Sequence, residues 1–204
     1  MADTGTTTVV KGTAPASNLT SGQFINVQRL HIAKLLTDPV NGVATYEKPI
    51  DLGKILRKVD IKPKTSEAAI YADGQAIDAA TNTASYDLTF DTAALPLEYE
   101  AYIFGHAIEN GVMVISKDDV APYFAVMFQA DKRNGKTRFT KFYKVQFTEP
   151  SQSGNTKEES IKYDTPTISA KAIYRLSDGN SSTKADEEAT GFAAETAANW
   201  YQSV

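Results

Sequence analysis

In "ASYDLTF", residues 84–90, Ala84, Tyr86, Leu88 and Phe90 fall on one side and Ser85, Asp87 and Thr89 on the other. Alternation at period two marks a half-buried strand, one face on a core and one toward water. The neighbouring segments follow the same grammar. In "ILRKVDIKP" (55–63) Ile55, Val59 and Ile61 oppose Lys58, Asp60 and Lys62, and Pro63, with no N–H for a ladder, is expected to close the strand. In "PTISAKAIYRL" (166–176) Ile168, Ala170, Ala172 and Tyr174 oppose Ser169, Lys171 and Arg175. "YFAVMFQA" (123–130) is apolar on both faces, as a strand covered from both sides would be. "TRFTKFYKVQF" (137–147) is expected to put Phe139, Tyr143, Val145 and Phe147 on one face. Asn41-Gly42, Asn110-Gly111 and Asn134-Gly135 are turn signals, and Asp178-Gly179 ends the strand-rich body. "FINVQRLHIAKLL" (24–36) does not alternate cleanly; a long strand and a helix both fit it.

One stretch changes period. In "LPLEYEAYIFGHAIENGV" (95–112) Leu97, Ala101, Phe104 and Ile108 recur at helical spacing, Pro96 suits an early helix position, and Gly105 can end the helix at positive φ. Glu98 and Glu100 point to different sides and form no acid/base pair, and His106 at the C-terminal end can cap carbonyls or pack. Many strands, regular turns and one helix predict a mainly β fold, a β-sandwich or barrel with one flanking α-helix.

The 204 residues, 42% hydrophobic and 23% charged, suffice for one substantial core. With 25 acidic residues against 21 Lys and Arg, the net charge of −4 argues against a tight grip on nucleic acid. The absence of cysteine excludes thiol chemistry, cysteine zinc sites and disulfides. The start, "MADTGTTTVVKG", is not a signal peptide, and no apolar run is long enough to span a bilayer, so a soluble protein without membrane contact is expected. Residues 1–23 read as an extended N-terminal arm, 24–176 as the β domain, and 177–204 as a C-terminal arm with a short helix carrying Phe192 and Trp200. That apolar edge has two possible destinations, the chain's own sheet or a neighbouring copy.

Nothing in the sequence supports catalysis. His31 and His106 are the only histidines, and there is no G-x-S-x-G, phosphate-binding Gly-rich loop or EF-hand register. Asp118-Asp119 reads as a solvated turn more readily than as a cation site. Lys132, Arg133, Lys136 and Arg138 make a basic hairpin tip that stays soluble and pairs with a neighbour's carboxylates more readily than with nucleic acid. No enzyme, metal or cofactor is expected.

An ordered set of pieces resembles a known family. "GQFINVQRLHIAKLLTD", "EAAIYADGQAIDAA", "DLTFDTAALPLEYEAYIFGHAIENGVM" and "APYFAVMFQADKRNGKTRFTKFYKVQFTEPSQSGNTKEESIKYDTPTISAKAI" follow one another as in the major tail proteins of siphophages, the tail tube subunits of long non-contractile tails. The resemblance runs over residues 22–176, carried by YADG, LPLE followed by GH and ENG, the NGK turn and YDTPTISA.

The resemblance implies a virion structural protein that self-assembles as stacked hexameric rings into a tail tube conducting DNA into the host. The implied partners are further copies of itself, a tape-measure protein and tail terminator or initiator proteins, with DNA passing non-specifically through the lumen. The implied location is the virion tail, after synthesis in the bacterial host cytoplasm. Lys58, Asp60, Ser85, Asp87 and Thr89 are the candidate lumen-lining residues. The segment 64–81, read as a long loop around Tyr71, Asp73 and Gly74, and the arm residues Phe192 and Trp200 are the candidate oligomer contacts. The alternative is a monomeric carbohydrate-binding or adhesive β-sandwich presenting Tyr71, Tyr99 and Tyr102.

Overall fold

A computed structural model describes residues 22–72, 75–151 and 165–204, with the side chains of 67–72 and 75–80 left aside. The strands are β1 (Phe24–Thr37), β2 (Thr45–Tyr46), β3 (Ile50–Asp51), β4 (Leu56–Ala72), β5 (Gln75–Thr92), β6 (Ala107–Glu109), β7 (Val112–Val114), β8 (Tyr123–Lys132), β9 (Thr137–Thr148), β10 (Thr167–Ile173) and β11 (Ser182–Asp186). Two helices accompany them, α1 (Leu97–Phe104) and α2 (Ala194–Asn199). Among the described residues nine strands join in one antiparallel sheet, ordered β2-β1-β8-β9-β10-β5-β4, with β3 added on β1 and β11 on β9. β6 and β7 form a separate two-stranded hairpin. The protein is mainly β, a sandwich with a flanking helix.

Bulges give the sheet its two layers. Phe124 of β8 faces Val145, but Val126 faces Phe142, so β9 carries an extra residue there. An extra residue flips the side chains beyond it and bends the strand. The first half of β9 then lies beside β11 and the second beside β10, one strand shared between layers. Phe142, Val145 and Phe147 enter the inner core while Phe139 faces the outer cluster. The sequence expectation that Phe139 shares a face with Val145 and Phe147 is corrected by this bulge.

β1 is a strand, and its irregular pattern has the same cause. Its pairing with β8 shifts between Gln28 and His31, and Arg29 takes φ 59 there. Pro63 does not end β4, which runs on to Ala72. As the outermost strand of the sheet, β4 has a free side on which a residue without N–H breaks no ladder bond.

The inner core gathers Leu30 and Ile32, Phe124, Val126 and Phe128, Leu88 and Phe90, and Ile168, Ala170 and Ala172. α1 closes it with Ile103 and Phe104. The helix begins after Pro96 and ends at Gly105, φ 81, as its sequence predicts. A Cβ on Gly105 would sit 2.5 Å from the Val120 carbonyl oxygen, so both backbone angle and close approach require glycine. The inward face is Ala101, Ile103 and Phe104; Leu97 and Ile108, expected on it, are partly exposed. β8 is buried on both faces, with Ala125 and Met127 in the outer cluster.

Candidate functional site

The register of β4 with β5 pairs Lys58 with Asp91, Asp60 with Thr89, Lys62 with Asp87 and Lys64 with Ser85. Directly opposed residues share a face, so Lys58, Asp60, Ser85, Asp87 and Thr89 stand on one side of the sheet, with Val59, Ile61, Leu88 and Phe90 on the core side. β10 extends that face with Ser169 opposite Thr89 and Lys171 opposite Asp87. Its charges pair locally: Lys58 Nζ lies 2.5 Å from Asp60 Oδ2, Lys64 Nζ lies 3.2 Å from Asp87 Oδ2, and Thr167 Oγ1 donates to Asp91 Oδ1 at 2.9 Å. Ser85 is buried, while Asp87 and Thr89 are half-buried.

The segment 64–81 is not a loop. β4 and β5 pair through Ala72 and Gln75 around residues 73–74, so the long-loop expectation gives way to a two-stranded ribbon. Among the described residues β10 pairs with β5 from Tyr86 to Asp91, and 75–85 pair with β4 alone. Tyr71 lies on β4 opposite Ala76. Asp73 and Gly74 lie outside the described residues.

The C-terminal segment docks on the chain's own sheet. Trp200 and Tyr201 are buried over Ala125, Met127 and Phe139, and Phe192 stacks parallel to Phe139 at 6.4 Å. Of the two destinations open in the sequence, the chain's own sheet is the one occupied. Arg29 lies 4.3 Å from the Tyr201 ring centroid, placed there by the β1 bulge. Lys141 Nζ donates to the Ser203 carbonyl at 2.7 Å beside the Trp200 ring. Burial, aided by Arg175, pushes the Lys141 ammonium down to about 8.

The basic hairpin tip, expected to meet a neighbour's carboxylates, meets the chain's own in this same segment. Lys132 Nζ, fully buried, donates to Asp186 at 2.7 and 2.8 Å and to Glu188. Arg138 Nε donates to Asp186 Oδ2 at 2.7 Å. Burial alone would raise the Asp186 carboxyl and lower the Lys132 ammonium, but the ion pairs move each the other way. Asp38 pins the start of the segment: it accepts Leu176 N–H and Ser177 N–H at 3.0 Å and Lys144 Nζ at 2.7 Å. Against the effect of burial, these bonds hold its carboxyl down at about 2.

His106 sits between two carboxylates, Nδ1 at 2.7 Å from Asp119 and Nε2 at 2.9 Å from Glu149. Asp119 also accepts Ser116 N–H at 2.8 Å, and that bond first, then His106, holds its carboxyl below the ordinary range. The histidine tethers the residues after β7 to the end of β9. Glu149 is distant in sequence, and no local spacing points to it. Tyr102 packs edge-on against Phe124 and donates to Glu47 at 2.6 Å, and Tyr99 packs on the inner core, so neither joins an open aromatic platform. Among the described residues no three acidic or histidine side chains gather in an arrangement that could hold a metal.

No family model and no curated protein matches the chain. Among solved structures, the chain is similar to the tube-terminating cap of the anti-feeding prophage, with a TM-score of 0.41 and 10% sequence identity. The alignment covers 87% of this chain and 99% of that one. A likeness this distant carries no argument about this chain.

Proposed function

We propose that this chain is a structural subunit of a phage tail, a siphophage tail tube protein that stacks as hexameric rings and conducts DNA through its lumen. The body spans 24–176, flanked by the segments 1–23 and 177–204. The observation that carries the reading is the β4–β5 ribbon. Among the described residues no third strand pairs with 75–85, so within them both edges of the ribbon offer unpaired backbone groups. An isolated two-stranded ribbon is marginal in water, and open edges invite pairing with another chain. Neighbouring copies that supply those strands turn a liability into a closed wall.

The polar face of β4, β5 and β10 suits a lumen. Lys58, Lys62, Lys64 and Lys171 are set among Asp60, Asp87 and Asp91. Near-balanced charge gives DNA no continuous cationic track to adhere to. Tape-measure and terminator or initiator proteins are the partners this role requires, and the virion tail is its place.

Negative-stain electron microscopy at rising concentration, with light scattering for mass, tests the reading. Hollow tubes or six-membered rings that vanish when residues 66–82 are replaced by a short Gly-Ser turn support it. A monomer at every concentration that binds glycans would replace it with the carbohydrate-binding alternative.

A further inference from the structure

Among the described residues the β6–β7 hairpin carries several exposed apolar side chains. Ala107, Glu109, Val112 and Val114 share one face, since Ala107 pairs with Val114 and Glu109 with Val112. Val112 is 62% exposed and Val114 47%, and next to them Ile115 and Val120 are 62% and 76% exposed. Among the described residues the hairpin joins no other strand, and it is tethered at His106, just before β6, which bonds Asp119 in the following turn and Glu149 after β9. Exposed β-branched residues on and beside one hairpin mark a candidate contact surface.

A second surface, open among the described residues, lies at the other end of the sheet, where Arg138 approaches the Phe24 ring at 4.8 Å. Where the start of β1 approaches β4, a cleft of about 470 Å³ opens, lined by Phe24, Ile25, Arg57, Lys58, Arg138 and Lys184 among others. Phe24 is 51% and Ile25 67% exposed. Its lining holds four cations and no carboxylate. Lys58 and Arg138 are bound to Asp60 and Asp186 outside the lining. Arg57 and Lys184 have no carboxylate partner among the described residues, and neither has Glu109 on the hairpin.

We infer that the β6–β7 hairpin of one copy docks in the β1–β4 cleft of the next, its valines on Phe24 and Ile25 and Glu109 toward Arg57 and Lys184. β8 separates the two surfaces: its start at Tyr123 pairs with Gln146 near Glu149, to which His106 at the base of the hairpin is bonded, and its end at Lys132 lies opposite Phe24. Ten residues of strand span roughly 30 Å, so a chain cannot fill its own cleft with its own hairpin. Two different surfaces at opposite ends of one subunit make a head-to-tail contact, the kind that propagates from copy to copy. The occupant is a second copy because the hairpin carries what the cleft lacks, one carboxylate in an apolar face. This deepens the assembly reading by naming its stacking contact.

The absence of cysteine makes the test clean. Chains carrying Val112→Cys are mixed with chains carrying Ile25→Cys and oxidised. A disulfide-linked heterodimer that forms faster than either homodimer supports the contact, since a disulfide needs Cα atoms within about 7 Å. Glu109→Lys is expected to weaken self-association ~10-fold, and adding Arg57→Glu to the same chain to restore it. Three results each overturn the inference: no heterodimer above the homodimer rate, unchanged association of Glu109→Lys, or cross-linking only after removal of residues 2–21. The last would assign the cleft to the chain's own N-terminal arm. Tubes in the microscope without the cross-link refute this contact and leave the tube reading standing. The cross-link in short head-to-tail oligomers without tubes does the reverse.

Discussion

The β6–β7 hairpin reverses at Asn110-Gly111 and the β8–β9 hairpin at Asn134-Gly135, with Gly111 at φ 80 and Gly135 at φ 77. From that common turn chemistry the two go separate ways. The strands of β8 and β9 are covered on the inside by α1, β5 and β10 and on the outside by Trp200 and Tyr201, and the cations at their tip meet Asp186 and Glu188. Among the described residues Val112 and Ile115 stay 62% exposed and Val114 47%. A dipeptide that can adopt positive φ fixes where a chain reverses; whether the strands beside it are covered depends on elements far away in sequence.

Removing the cover should make the buried hairpin resemble the bare one. Trp200→Ala is expected to cost about 4 kcal/mol, the usual range for emptying a large aromatic site, and to expose Met127 and Phe139 to a hydrophobic dye. Urea unfolding measures it, and a cost below about 1 kcal/mol would mean that this ring does not hold the segment down. Lys132→Ala is expected to cost ~3 kcal/mol, because Asp186 and Glu188 lose their buried cation. Glu188→Gln in the same chain should recover part of that loss in the same titration.

Smaller effects come from the anchors of the docked segment. Asp38→Asn is expected to cost about 2 kcal/mol, from weakened charged hydrogen bonds to Leu176, Ser177 and Lys144. The Asp38 carboxyl is held at about 2, below its unfolded value of 3.8, so its stabilisation is full above 3.8 and disappears as pH falls through about 2. The variant should lack that part of the acid-induced loss in thermal melts from pH 5 to pH 2. Lys141 behaves in the opposite sense. Its folded value of about 8 lies below 10.5, so the unfolded chain holds more protons between these limits and stability rises with pH there. Lys141→Met should flatten the rise in denaturant midpoint between pH 8 and 9.5. Tyr201, held above its ordinary range mainly by burial, does not titrate in that window.

The smallest effect is expected on the bare hairpin. Val112→Asp with Val114→Asp should change monomer stability by less than about 0.5 kcal/mol, the usual limit for exposed positions, as read from the melting temperature. A large destabilisation would mean that the valines are already covered within the chain.

Strand alternation at 86–90 and 167–172, the two-sided burial of 123–130 and the Pro96 to Gly105 helix were legible because each rests on contacts within a few residues. The ends of the pattern fail, with Ala84 exposed, Ser85 buried and Tyr174 38% exposed. The segment 24–36 and the face of Phe139 were not, because bulges in β1 and β9 flip the alternation, and a bulge exists only against a partner strand. Pro63 shows the same dependence: its effect on β4 rests on the strand being at an edge, which is a property of the sheet. The polar face with Lys58, Asp60, Ser85, Asp87 and Thr89 could be read from alternation alone. The joining of Lys132 to Asp186 and of His106 to Glu149 could not, since each pair is brought together across more than forty residues of chain. Period and turn chemistry are local energies written along the backbone, whereas burial and ion pairing are settled when distant segments compete for the same surface.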